Sequence, residues 1–416
     1  MGGRRTVAAR CRRSLVAAAC SGLVAVAALA TGSPPASGSS LHPGSARTDF
    51  EPRSVTFVSL DTGWVLGTAP CAAGGRCLAL EETIDAGRYW SARPLPTALL
   101  AAADRKVDGV PAELAPCCGG LNIRFANRRD GWIYGGLTVA GRLAGSTEPI
   151  LWSTHDGGEV WRQQALPGLS DESPIFDVEA AGGMVYLMAP NDAEGVTVES
   201  SPVSEDSWHV SNAVRLGDPA GGSMQSGAFV LHGSRGWLVE GNDRGTTGSA
   251  ELASDGRWVG WTPPCASVGH TFAIPAASTS SDLVAICVMG GFAYPLSRSA
   301  PPGATVGSSW LYFSRNGGRT FEAGPELGTQ ANFGFDGILA SPSPGVILIG
   351  RYVADGQVLA ASFDGGDQWT EFYRGQPLFL GFTSSSQGVG IVQSSNGATT
   401  MIMTFDGGHH WVPVVF

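Results

Sequence analysis

Four aspartates along the 416-residue chain have neighbours with which they could do acid–base or nucleophilic chemistry. Asp85, Asp156, Asp364 and Asp406 each follow a threonine or serine by two residues. A carboxylate in that position could act as a general base and activate the hydroxyl as a nucleophile. A glycine and a tryptophan also follow each aspartate at fixed distances, and such chemistry gives them no part. Because a turn uses all four residue types, we interpret these carboxylates as structural.

The repeated unit is an eight-residue motif with a hydroxyl residue at position 1, Asp at position 3, Gly at position 5 and an aromatic residue at position 8. Hydroxyl and carboxylate groups hydrogen-bond nearby backbone groups and so fix a tight loop. Glycine adopts the positive φ that such loops require, and the aromatic ring brings apolar area to the next strand. The five copies, here called the motif turns, comprise Thr83, Asp85, Gly87, Trp90; Thr154, Asp156, Gly158, Trp161; Ser314, Asn316, Gly318, Phe321; Ser362, Asp364, Gly366, Trp369; and Thr404, Asp406, Gly408, Trp411.

Apolar alternation beside the motif turns indicates strands, as in Leu359, Ala361 and Phe363 around the fourth copy. The motif resembles the Asp-box, or BNR repeat, of sialidases, some other glycoside hydrolases, sortilin-type receptors and the photosystem II assembly-factor-like propellers. In those families the box lies between strands 3 and 4 of a propeller blade. The resemblance implies an all-β propeller. Because proteins of unrelated activity share the box, it implies little about function.

A second repeated element sets the number of blades. Each copy has a strand, a glycine turn and an apolar strand, as around Gly63-Trp64, Gly131-Trp132 and Gly236-Trp237. With two shortened motif turns that end at Trp208 and Trp258, the pattern predicts a single propeller of about seven four-stranded blades, with the three glycine-turn tryptophans in the core between blades. Six or eight blades are the alternatives, because the third unit has the weakest turn. The predicted blades span 52–96, 121–166, 174–212, 226–262, 270–323, 333–373 and 378–416.

The start of the chain has the features of an export signal. Five arginines precede an apolar run from Leu15 to Ala30 that ends in a small-x-small cleavage pattern. The run is shorter than the roughly 20 residues of a membrane-spanning helix, and Arg12-Arg13 resembles a twin-arginine signal. We expect a signal peptide at 1–30, a Ser/Gly/Pro-rich tether at 31–51 and the propeller at 52–416. The protein is then secreted or on the cell surface, and a lipoprotein anchored at Cys20 is the alternative.

The net charge of the chain limits the class of partner that the protein is expected to bind. Residues 1–30 hold five arginines and no acid, so without them 21 basic residues face 36 acidic ones. An acidic surface repels phosphate backbones, which disfavours nucleic acid. We expect a monomer without a membrane span in the mature chain, whose partner is a protein or a cell-envelope component.

Six cysteines remain after residue 30, and in an exported chain they favour disulfides. Cys71 and Cys77 flank a short loop, and Cys265 and Cys287 could join the end of one blade to the next. Cys117-Cys118 is either a vicinal pair or part of another arrangement. The cysteines lack metal-ligand spacing, and His155, His409 and His410 lie in motif turns. We therefore expect neither a metal nor a cofactor.

Propeller topology predicts which face binds a ligand. The turns between strands 1 and 2 and between strands 3 and 4 share one face, so the loops between strands 2 and 3 and the links between blades share the other, here called the loop face. The long segments 93–120, 135–149, 241–249 and 290–308 map to the loop face. An ordinary solvated loop residue also explains each binding candidate on it. These candidates are Arg142, Asp243, Arg244, Tyr294, Arg298, Arg351, Tyr352 and Asp355.

Two functions follow from the resemblance. The assembly-factor-like propellers imply a non-enzymatic scaffold that binds a protein, and the sialidases imply a glycoside hydrolase. A sialidase needs three arginines and a Tyr–Glu pair, but Pro52-Arg53-Ser54-Val55 does not match the family's first arginine motif, and Glu371 near Tyr373 is expected on an outer strand. A hydrolase predicts carboxylates roughly 5–10 Å apart in a pocket, whereas a scaffold predicts a broad patch of loops. We favour the scaffold.

Overall fold

The computed structural model is all-β, with seven four-stranded antiparallel sheets and one short helix among the residues that it describes. Each sheet is built from one contiguous stretch of chain, and neighbouring sheets contact each other in sequence order. This arrangement confirms the predicted β-propeller of seven blades. The described residues are 49–72, 74–103, 106–107, 110–111, 120–138, 147–169, 174–191, 195–211, 226–242, 245–266, 271–289, 309–327, 338–353 and 356–416.

Blade 1 contains β1 (Glu51–Phe57), β2 (Gly63–Pro70), β3 (Arg76–Thr83) and β4 (Ser91–Arg93). It is followed by α1 (Thr97–Ala103) and by the paired β5 (Lys106–Val107) and β6 (Val110–Pro111). Blade 2 contains β7 (Leu121–Phe125), β8 (Gly131–Thr138), β9 (Thr147–Thr154) and β10 (Arg162–Gln163). Blade 3 contains β11 (Asp177–Ala181), β12 (Met184–Asn191), β13 (Gly195–Pro202) and β14 (His209–Val210).

Blade 4 contains β15 (Ser226–His232), β16 (Arg235–Asn242), β17 (Gly245–Leu252) and β18 (Trp258–Gly260). Blade 5 contains β19 (Thr271–Ala277), β20 (Leu283–Met289), β21 (Ser309–Ser314) and β22 (Glu322–Glu326). Blade 6 contains β23 (Leu339–Ala340), β24 (Ile347–Val353), β25 (Gly356–Ser362) and β26 (Thr370–Arg374). Blade 7 contains β27 (Gln376–Phe382), β28 (Gly388–Gln393), β29 (Thr399–Thr404) and β30 (Val412–Pro413).

The first strand of each blade is the innermost, since β1 contacts β7, β11 contacts β15, and β15 contacts β19. Second strands are buried on both faces because a neighbouring blade covers each side, which explains the continuous apolar run in β20. The fourth strands β10, β14 and β30 are exposed. The inner strands therefore form the wall around the axis.

The glycine turns contain glycine because a phenylalanine side chain packs directly against the backbone at that position. Phe57 pairs with Gly63 across β1 and β2, and a Cβ added at Gly63 would lie 2.7 Å from the Phe57 ring. Phe125 and Gly131 of blade 2 repeat the pair, at 2.5 Å. Only glycine leaves room for a ring at this position. The repeated element is thus a packing device between the first two strands of a blade.

The predicted core positions of three tryptophans are confirmed. Trp64, Trp132 and Trp237 are completely buried. The indole of Trp64 stacks on Phe125 of the next blade, with 3.7 Å between ring centroids. These side chains fill the space between neighbouring blades and are closed to a ligand.

Within the described ranges, blades 7 and 1 close the ring through side chains, and each of their sheets consists of four consecutive strands. The rings of Phe50 and Phe416 lie 4.5 Å apart. The Gln387 Nε2 donates a 2.6 Å hydrogen bond to the Leu60 carbonyl. The two ends of the propeller therefore share one apolar cluster, to which Met403 also belongs.

Two of the predicted disulfides are present. Cys71–Cys77 closes the hairpin between β2 and β3, and Cys265–Cys287 ties the link after blade 4 to β20 of blade 5. Cys117 and Cys118 lie outside the described residues. In the described part of the chain, no helix is long and apolar enough to cross a bilayer.

Candidate functional site

The motif turns use their polar atoms internally. Each begins at the last residue of a third strand, and its position-1 hydroxyl donates to the position-3 side-chain oxygen over 2.8–3.0 Å. The same hydroxyl accepts the position-5 amide over 2.8–3.0 Å. The position-3 oxygen also accepts the position-7 amide over 2.9–3.0 Å. The five glycines at position 5 all have positive φ. These contacts account for the residue types at positions 1, 3 and 5, and the indole nitrogens of Trp161, Trp369 and Trp411 at position 8 donate to the position-5 carbonyl over 2.9–3.1 Å.

The carboxylates of the motif turns are poor candidates for acid–base chemistry. The backbone amide of His410 holds the pKa of Asp406 well below its ordinary value. Similarly, the amide of Gln368 lowers the pKa of the Asp364 carboxyl. Both groups are therefore ionised and directed into their own loops.

The histidines of the motif turns contact neighbouring residues of the protein. His155 Nδ1 lies 2.7 Å from Asp130 Oδ1, and its Nε2 lies 3.3 Å from Asp206 Oδ2 of blade 3. His409 stacks on Phe363 of blade 6 at 3.8 Å. His155 of blade 2 and Phe363 of blade 6 both occupy position 2 of their motif turns. In both cases the residue at position 2 contacts the following blade, which links neighbouring turns.

A charged cluster lies on the inner wall of blades 2 and 3. Arg124 of β7 makes an ion pair with Glu179 of β11. Beside it, the Tyr134 hydroxyl donates a 3.2 Å hydrogen bond to Asp177 Oδ1. Burial acts to lower the pKa of Arg124, but the charges of Glu179 and Asp177 outweigh it and raise that pKa. Blade 2 thus supplies the donors and blade 3 the carboxylates.

A third carboxyl group, that of Glu240 in β16, lies in the seam between blades 3 and 4. Glu240 is 2% exposed, and its Oε2 has no hydrogen-bond partner among the described residues. Burial raises its pKa to about 7. Its cross-strand neighbours are Gly227 and Gly248. The carboxyl is therefore buried without a cation and without side chains on the two adjacent strands.

Most of the binding candidates on the loop face cannot be placed. Arg142, Asp243, Arg244, Tyr294, Arg298 and Asp355 lie outside the described residues. Arg351 and Tyr352 lie in β24 and not in the loop that follows it, because the strand continues to Val353; the side chain of Tyr352 is also outside the described part. Arg351 Nη2 lies 3.3 Å from Glu371 Oε1 of β26, the outermost strand of blade 6. The Glu371–Tyr373 region is thus remote from the inner wall, as predicted.

Two of the long segments expected on the loop face are shorter than predicted. Strands β8 and β9 run to Thr138 and from Thr147, so only 139–146 separates them. Similarly, β16 and β17 leave only 243–244 of the segment 241–249. Antiparallel pairing extends into these polar and glycine-containing stretches because each residue gains ladder hydrogen bonds. Segment 93–120 includes α1, and 290–308 lies outside the described residues.

The inner-wall cluster was not predicted from the sequence. A weak signal exists, since Asp177 and Glu179 alternate with apolar residues and Glu240 interrupts the apolar run Trp237–Val239. Alternation of polar and apolar residues alone does not distinguish an inner strand that contacts neighbouring blades from a solvent-exposed surface strand. The identity of the partners, Arg124 and Tyr134, depends on which blades meet.

No family model and no curated protein matches the chain. Among solved structures, the chain is similar to a puromycin-hydrolysing peptidase of Mycobacterium tuberculosis, with 14% identity over 88% of this chain and 53% of that one, at a TM-score of 0.53. It is also similar to an ulvan lyase of polysaccharide lyase family PL25, with 11% identity over 89% and 97% of the two chains, at a TM-score of 0.50.

YCF48 bound to a D1 peptide matches with 18% identity over 87% of this chain and 94% of that one, at a TM-score of 0.44. That likeness carries no argument about function. The chain spans about half the length of the peptidase. At such identities, the first two likenesses show the propeller fold alone.

Proposed function

We propose that the protein is an exported, non-enzymatic propeller that binds a protein or cell-envelope partner through its loop face. Its motif turns, which we assign as Asp-boxes, fix the opposite face. In this proposal the ring is a rigid frame, and the loops between strands 2 and 3 provide the contacts. The candidates Arg351 and Tyr352 remain part of the proposed contact region, at the end of β24 nearest that face.

The pairing of the inner-wall charges carries the proposal. A glycoside hydrolase needs one carboxyl group as acid and another as nucleophile or base, both facing the substrate. Here Glu179 is occupied by Arg124, and Asp177 by the Tyr134 hydroxyl. Both contacts run from blade 2 to blade 3. They favour a structural role in holding the blades together over a role in chemistry.

Export is supported by the cysteines and by the start of the chain. Two disulfides, Cys71–Cys77 and Cys265–Cys287, fit an oxidising compartment. The arginines and apolar run before Ala30 fit a signal peptide. An export proposal predicts that the chain accumulates outside the cytoplasm with both disulfides formed.

Two serines of blade 7 provide a matched test of the binding face. Ser395 is exposed in the hairpin between β28 and β29 on the loop face, and Ser385 is exposed in the turn between β27 and β28 on the opposite face. A photo-crosslinking residue is placed at either position in the full chain, and intact producing cells are irradiated. The proposal predicts a discrete adduct at Ser395 that excess unlabelled protein suppresses. An adduct at Ser385 alone, or at neither position, would refute it.

A glycoside hydrolase is the second candidate, and one observation favours it. Tyr134, hydrogen-bonded to Asp177, lies on the inner wall beside the Arg124–Glu179 pair, and tyrosine, acid and arginine are the residue types that a sialidase uses. Asp177 and Glu179 are two residues apart on one strand, so their Cα atoms are roughly 6–7 Å apart. This candidate predicts hydrolysis of sialosides that both Tyr134→Phe and Asp177→Asn abolish.

A further inference from the structure

The seam between blades 3 and 4 contains a carboxyl group whose placement the blade contacts do not explain. Leu238 of β16 packs in one apolar cluster with Met188, Val196 and Val198 of blade 3. Glu240 lies on the same face of β16 as Leu238, because side chains two apart on a strand share a face. A carboxyl group in such surroundings is normally paired or replaced by an apolar residue. Glu240 is neither.

The backbone around Glu240 is shaped to leave space beside it. Its neighbours on the adjacent strands, Gly227 and Gly248, have no side chains. The pairing of β16 with β17 shifts register between Glu240 and Gly241, which forms a bulge at this residue. Glycines within strands and bulges often mark places where a ligand approaches. Three backbone features therefore converge on one unpartnered carboxyl group.

Glu240 lies near the loop-face end of the seam. Glu240 is two residues from the end of β16, where the hairpin to β17 begins, and Asp177 is the first residue of β11 at the same end of blade 3. Asp177 is partly exposed, and its cross-strand partner Met188 lies over Gly227, 2.6 Å from the position of an added Cβ. A methionine side chain is flexible and repacks readily. Met188 therefore covers the approach to Glu240 with a movable group.

The charges at this end of the seam select a cation. Asp177 and Glu179 pair across the strands with Met188 and Tyr186, which belong to the cluster shared with blade 4, while their carboxylate oxygens contact Tyr134 and Arg124 of blade 2. With Glu240 they make three carboxyl groups; of the arginines on these strands, Arg124 pairs with Glu179, and Arg235, at the other end of β16, pairs with Glu251. A positive group would find complementary charge here.

We propose that Glu240 is the receptor for a primary ammonium group on an aliphatic stem, such as a lysine side chain of the partner, that enters the seam from the loop face. An ammonium has three donors, fewer than the five of a guanidinium, and so needs fewer acceptors in an apolar seam. Its methylene stem would pack on Met188, Val196 and Val198. Binding draws the Glu240 proton into solution, because a nearby cation favours the carboxylate. This inference names the partner chemistry of the proposed binding protein and rests on that function.

Calorimetric titration of the full chain with n-butylammonium at pH 8 tests the proposal. We expect Glu240→Gln to weaken the binding at least tenfold. Glu199→Gln is the matched control: Glu199 is also buried, but it accepts the Gly168 amide over 2.7 Å and pairs with Leu187 on the face of blade 3 turned to blade 2. Its removal should change the affinity less than twofold. Equal affinity of Glu240→Gln and the unaltered chain would overturn the proposal, as would equal binding of n-butanol.

A second measurement keeps the test decisive if Glu240→Gln does not fold. In the unaltered chain, carbon-13 NMR of the glutamate carboxyl groups follows the titration of Glu240. Saturating n-butylammonium should lower the apparent pKa of Glu240, so that its proton affinity falls at least tenfold. Saturating n-butylguanidinium should lower the same pKa by a smaller amount. An unchanged titration refutes the ammonium site. The Ser395 adduct tests the binding function separately. The adduct can form even if n-butylammonium does not bind, and n-butylammonium can bind even if no adduct forms.

Discussion

The ring of Phe125 lies parallel to the indole of Trp64, with 3.7 Å between the centroids and 6° between the planes. Phe125 ends the innermost strand of blade 2, and Trp64 belongs to the second strand of blade 1. One aromatic contact thus joins an inner strand to the centre of the neighbouring blade. The blade interface at this point is built from the glycine turns, because Gly63 directly precedes Trp64 and Gly131 pairs with Phe125 across the hairpin of blade 2.

The first prediction concerns this contact. Trp64→Ala should lower the free energy of unfolding by ~3–5 kcal/mol, because a completely buried aromatic ring leaves a cavity. Chemical denaturation monitored by circular dichroism measures the change. Ile84→Ala, at a side chain that is 72% exposed in a motif turn, is the control and should change stability by less than ~0.5 kcal/mol. Similar losses for the two variants would contradict the core assignment of Trp64.

The second prediction uses the one described non-glycine residue with positive φ. Ala86 has φ of 64° at position 4 of the first motif turn, where the last motif turn has Gly407 with φ of 76°. Ala86→Gly should stabilise the protein by up to ~1 kcal/mol, because relief of the left-handed strain is partly offset by the greater freedom of glycine in the unfolded chain. The reciprocal Gly407→Ala should destabilise by ~1–2 kcal/mol. The thermal midpoints should move in opposite directions; a shift in the same direction would count against the strain argument.

The third prediction concerns the hydroxyl at position 1. Thr404 is completely buried, donates to Asp406 over 2.9 Å and accepts the Gly408 amide over 3.0 Å. Thr404→Val keeps the shape but leaves the Gly408 amide without its acceptor and removes one donor from Asp406, which should lower stability by ~1–3 kcal/mol. Thr404→Ser retains the hydroxyl and should lose less than half as much. If valine is tolerated as well as serine, the hydroxyl does not hold the turn.

The fourth prediction is a pH dependence that belongs to Glu240. Burial raises its folded pKa to about 7 from the ordinary value of 4.5, so the folded state binds more protons than the unfolded state between these values. The free energy of unfolding therefore falls as pH rises from about 4.5 to about 7. Above about pH 7, Glu240 causes no further decrease. The loss corresponds to ~3 kcal/mol, at about 1.4 kcal/mol for each pKa unit.

Glu240→Gln removes that dependence. The difference in unfolding free energy between the variant and the unaltered chain should be larger at pH 8 than at pH 4.5, in favour of the variant. Taking a difference cancels the opposite contributions of Asp364 and Asp406, whose pKa values are lowered. A difference that is constant across this range would show that Glu240 titrates normally in the folded protein.

The sequence predicts the motif turns because their contacts are local. The hydrogen bonds of the Thr404 hydroxyl, for example, go to residues two and four positions away. The seven blades are predicted for the same reason, since five of them contain a motif turn and the other two contain a shortened one. The close approach of Phe57 to Gly63 is likewise contained in one hairpin.

The inner wall could not be predicted because its contacts are distant in sequence. Arg124 and Glu179 belong to different blades, and only the order in which first strands meet brings them together. Arg351 was expected in the loop between strands 2 and 3 of its blade, yet the strand pairs as far as Val353 with Gly356. Polar residues at strand ends are thus the residues whose placement depends most on tertiary contacts.

A double-mutant cycle on Arg124 and Glu179 tests most directly whether the inner-wall charges hold the blades together. Arg124→Gln, Glu179→Gln and the double variant are compared with the unaltered chain by denaturant unfolding. Our account predicts that each single variant is destabilised and that the pair has a coupling energy of ~1–3 kcal/mol. Single variants as stable as the unaltered chain, with no coupling between them, would contradict it and favour a role of the pair in chemistry.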